Sequence, residues 1–142
     1  MNEEKTEKVA PNIKYEFDML EWSYIKVTNS NKKGNEHNSY IECFLLHVRN
    51  LIDFFVEPNH SQSDDVLAKH FFENPSIWIE KEMNICSFVQ SERSEINKTL
   101  AHLTYKRTTQ KQWNLVKLHN ELQDAKSEFL ALLTDKQKKW FK

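Results

Sequence analysis

A single glycine, Gly34, serves a chain of 142 residues, and that scarcity excludes more architectures than any other feature of the sequence. Sheets closed by tight hairpins draw on glycine for the positive φ angles of their turns. With one glycine and three prolines, the chain has little to build them from. Helices need such residues only at their ends. The composition therefore points to an all-α fold. It also excludes the phosphate-cradling loops GxxxxGK[ST] and GxGxxG, which one glycine cannot form.

The apolar spacing agrees. Ile13, Phe17, Leu20, Tyr24 and Val27 step by four and three, which marks one face of a helix over about residues 13–28. The Asn- and Lys-rich stretch 29–38 around Gly34 reads as a loop. A second helix is expected over about residues 39–56, with Ile41, Phe44, Leu45, Val48, Leu51, Ile52 and Phe55 on its main face. Tyr40, Cys43, Leu46 and Phe54 lie on its other sides, so it reads as a central helix enclosed by protein. After a loop with Pro58, Asp64 and Asp65 suit the start of a short helix over residues 66–72. The type of the segment 77–83 stays open. A further helix is expected over about residues 91–107, with Ile96, Leu100 and Leu103 inward. The last is expected to run unbroken over about residues 109–141. Its Leu115, Leu118, Leu122, Ala125, Phe129 and Leu132 follow heptad spacing, which fits a bundle helix or a dimer seam equally. The expected architecture is one domain over residues 1–142, an antiparallel bundle of four main helices with a short helical excursion. Residues 1–10 read as a flexible N-terminal tail.

Twenty basic residues face twenty-one acidic ones, a formal net charge of −1. Such a chain has no global field for polyanions, so nucleic acid would need a local patch. Cys43 and Cys86 form no CxxC pair and read as reduced thiols of a cytoplasmic protein. Residues 1–10 lack the apolar core of a secretory signal. The apolar stretch 40–56 is broken by Glu42, His47, Arg49, Asn50 and Asp53, so no membrane partner is expected.

Several residue groups are candidates for chemistry. Burying a charge costs several kcal/mol unless it is paired, and Glu42, Arg49 and Asp53 share neighbouring azimuths of the central helix. They read as a structural polar cluster, with Arg49 and Asp53 an i,i+4 pair. Alternatively, Arg49 is poised for a phosphate or another subunit. His102 has the right unperturbed acidity for proton transfer near neutral pH, against a bland role as a surface or hydrogen-bonded residue. Tyr105, Lys106, Arg107, Lys111 and Trp113 interleave aromatics with cations, a pattern that binds single strands by stacking and phosphate contact. A solvated interhelical turn explains the same composition. The lysines at 136, 138, 139 and 142 read as complements to the final helix dipole. His60, Asp64, Asp65 and His70 show no recognised ligand spacing, and HExxH is missing. Neither a metal nor a cofactor is expected.

The segment Phe44-Leu45-Leu46-His47-Val48-Arg49-Asn50-Leu51-Ile52-Asp53-Phe54-Phe55, followed by Ile96-Asn97-Lys98-Thr99-Leu100-Ala101-His102-Leu103-Thr104-Tyr105, resembles uncharacterised bacterial helical proteins. These in turn are similar to the HEPN superfamily of toxin and abortive-infection systems, over about residues 39–107. The resemblance implies a HEPN-like bundle and a homodimer. In its active ribonucleases it implies an Arg-x(4-6)-His motif with a polar residue after the Arg. Arg49-Asn50 matches the first half of that motif. The His does not follow, because positions 54–56 are Phe54, Phe55 and Val56, and the next His is His60. Arg93 and His102 are too far apart to replace it. A composite site would set Arg49 and Asn50 on the scissile phosphate, with His102 as general acid or base. The preferred expectation is a binding or regulatory protein of a toxin-antitoxin or defence system, with RNA or a protein as partner. The alternatives are a metal-independent ribonuclease and a monomeric helical adaptor.

Overall fold

The computed structural model describes residues 1–101 and 112–142. Among them there are six α-helices and no strand, as the glycine count implies. They are α1 (Glu3–Asn29), α2 (Asn35–Phe55), α3 (Ser76–Glu82), α4 (Ser87–Ala101), α5 (Leu115–Leu132) and α6 (Asp135–Lys138). Two 3-10 turns, Ala68–Phe71 and Lys139–Phe141, complete the ordered elements. None of the described helices is long and apolar enough to cross a membrane.

The expected N-terminal tail is helical instead. The Asn2 side chain caps α1 by accepting from the Lys5 amide at 3.1 Å, and Glu3 and Glu4 complement the helix N-terminus. Thr6 and Ala10 are buried, extending the face of Ile13, Phe17, Leu20 and Val27 by two turns. Pro11 lies inside the helix and forfeits a backbone hydrogen bond there. The cap and the upstream burial offset that loss.

Gly34 sits at φ +99° immediately before α2. Nothing lies within 4 Å of where a Cβ would stand, so the requirement is for backbone conformation and not for space. This turn lets α2 begin at Asn35, four residues before the sequence expectation. The two helices run antiparallel, since Glu16 meets His47, Trp22 meets Tyr40 and Ser30 meets His37. Phe44, Leu45, Val48, Leu51, Ile52, Phe54 and Phe55 of α2 are buried, whereas Leu46 is 41% exposed.

Helix α4 packs on α2, and α5 packs on α1, α2 and α4. The core centres on Phe129 of α5, which meets Phe54, Phe55, Phe71, Phe72, Trp78 and Phe141. Ring centroids are 5.3–6.2 Å apart and the planes cross at 68–87°. That is the edge-to-face arrangement aromatic quadrupoles favour. Leu118, Leu122, Ala125 and Phe129 are buried while Leu132 is exposed. Most of the heptad stripe is thus spent inside the chain.

The remaining departures have local causes. Where a short helix was expected over residues 66–72, only the 3-10 turn forms. The Asp65 carboxylate accepts from the Gln62 amide at 2.7 Å and closes a turn instead. The last helix breaks after Leu132, because Thr134 and Gln137 form a reciprocal cap that starts α6. Residues 109–111 of that expected helix, and 102–107 of the one before it, lie outside the described residues.

Candidate functional site

The outer edge of α2 gathers most of the polar residues that sequence singled out. His47 is buried, with its Nδ1 2.6 Å from Oε2 of Glu16 on α1. A carboxylate can only accept, so Nδ1 carries the hydrogen. Asn50 donates from Nδ2 to both oxygens of the same carboxylate, each at 3.3 Å. Tyr15 packs edge-on against the imidazole, with centroids 5.9 Å apart. Cys43 lies one turn before His47. Burial pushes its thiol above the ordinary value, and the nearby Glu16 charge pushes it further. A nucleophilic thiol needs the opposite shift, so a carboxylate-oriented imidazole here has no activated sulfur to serve.

The expected Glu42–Arg49–Asp53 cluster is arranged differently. Glu42 is exposed and Arg49 half-buried, and the ion pair of Asp53 is with Arg93 of α4, Nε to Oδ1, at 3.2 Å. Burial raises the Asp53 carboxyl, Arg93 and then Arg49 pull it down, and Asp65 pushes it up again. Arg49 therefore acts on Asp53 through its field. Arg93 does more. Its Nη2 donates to the carbonyls of Ile52 at 3.1 Å and Val56 at 2.6 Å. Trp78 Nε1 donates to the Phe55 carbonyl at 2.7 Å. Helix α2 has no basic residue in its last turn, so its orphan carbonyls are satisfied from α3 and α4. A shallow cleft of about 230 Å³ opens beside Asn50, Asp53 and Asp65.

Of the remaining candidates, His102, Tyr105, Lys106, Arg107 and Lys111 lie outside the described residues. Trp113 is half-buried and packed against the core, which removes it as an open stacking platform. His70 accepts from the Leu67 amide at 3.3 Å. Lys136 and Lys138 pair with Glu3 and Asp135, so they engage carboxylates as well as any helix dipole.

Comparison with protein-family models, curated proteins and solved structures returns no match.

Sequence reasoning missed Glu16, Glu21, His119 and Glu121, and Arg93 as a tie between helices; each bonds a different helix through residues distant in sequence. His119 of α5 stacks on Tyr24 at 3.8 Å and binds Glu21 through Nε2 at 2.6 Å. Glu121 accepts from the amides of Phe88 and Val89 at 3.3 and 2.9 Å, capping α4 from α5. No periodicity announces such pairs. The one available signal was the i,i+3/i+4 patterning of polar residues on otherwise apolar faces.

Glu121 also lines a cleft of about 400 Å³ with Glu80, Asn84, Cys86, Asp124 and Glu128. Cys86 adopts φ +53° and is buried. Burial, then the charges of Glu121 and Asp124, push its thiol up to about 12. An unfolded thiol ionises near ~8.5, so the folded value is the higher one. The stabilisation is complete below that unfolded value and is lost as pH rises towards about 12. Alkaline unfolding should show this loss, and Cys86→Ala should flatten the limb above pH ~9. An unchanged alkaline limb in Cys86→Ala would contradict the assignment.

Proposed function

We propose that this protein is a HEPN-like helical-bundle module that binds or regulates a partner in a toxin-antitoxin or defence system and works as a homodimer. One observation carries the preference for binding over catalysis. Asn50 and His47 are both engaged by Glu16, and Asp53 is engaged by Arg93. His47, Asn50 and Asp53 thus hold helices together, and Asn50 is not free to clamp a phosphate beside Arg49. Burial of the α5 stripe favours the monomeric adaptor as second reading, unless the dimer uses another face.

The ribonuclease alternative, with Arg49, Asn50 and His102, is tested directly. Purified protein is incubated with total RNA and tRNA in chelator, beside Arg49→Ala and His102→Ala. Intact RNA in every lane is the expected outcome. Cleavage by wild type, lost in both variants while circular dichroism shows them folded, would overturn the binding reading in favour of catalysis.

A further inference from the structure

We draw no further inference here: the strongest candidate, the exposed apolar edge of α1 and α2 formed by Tyr15, Trp22 and Leu46, carries nothing, because nothing in the structure shows what covers it.

Discussion

Phe129→Ala should cost about 3–5 kcal/mol of folding stability, the range for truncating a fully buried phenylalanine. Small domains hold only about 5–15 kcal/mol in total, so urea titration should show a transition displaced by a large fraction, or none. The reason is positional. Phe129 is completely buried and stands edge-on to rings from α2, α3, the Ala68–Phe71 turn and the C-terminal turn. One truncation therefore opens a void touching most layers of the fold, and rings cannot all slide to fill it. Phe129→Leu should remain folded, because it keeps most of the apolar volume and loses chiefly the edge-to-face preference of the rings. A loss below about 1 kcal/mol for Phe129→Ala would mean the site collapses freely and is no hub.

Arg93→Ala should cost about 2–4 kcal/mol, since hydrogen bonds from a charged donor are worth about 1.5–3 kcal/mol each. The guanidinium bonds two carbonyls at the end of α2, where the helix dipole also favours a cation. Its contact with Asp53 adds less, because that carboxylate is over a third exposed and solvent screens it. The pH dependence separates the two contributions. Asp53 already has a carboxyl raised by burial, with Arg93 the strongest cation opposing the rise. Removing Arg93 lifts it further. A carboxyl whose folded value lies above its unfolded value costs stability at neutral pH, and that cost is relieved as pH falls through the folded value. The deficit of Arg93→Ala should thus shrink on acidification, and Asp53→Asn should remove that pH dependence. Chemical denaturation at neutral and mildly acidic pH measures both. A pH-independent deficit would assign the whole effect to the carbonyl caps.

The fold class was legible because it follows from a shortage. One glycine leaves no route to hairpins, and Ile13, Phe17, Leu20 and Val27 all turned inward as their spacing required. The helix ends were less legible. Helix α1 begins at Glu3, well before the expected start near residue 13; Asn2, Thr6 and Ala10 carry weak signals one at a time. The break at Thr134 was written in the sequence as Thr134-x-x-Gln137, a capping pair hidden within a run of good helix formers.

The candidate site was harder for a physical reason. The polar residues of α2 were read as needing partners, but a local rule nominates only local ones, Arg49 for Asp53. The groups that answer them, Glu16 and Arg93, are 34 residues before Asn50 and 40 after Asp53. Only the packing of α1 and α4 on α2 brings them within reach.

The last turns also touch the first. Lys136 Nζ lies 2.5 Å from Glu3, Gln137 Nε2 reaches both Met1 Sδ and the Phe71 carbonyl, and Phe141 packs against Phe17 and Phe71. Such contacts close loops of nearly the whole chain, whose entropy must be spent before any contact returns it. During synthesis α1 emerges well before several of its lasting neighbours. Its apolar face over Phe17 waits for Phe141, which is made far later in the chain. Copies interrupted before Phe141 are left with Phe17, Phe71 and Phe129 each short of a covering ring.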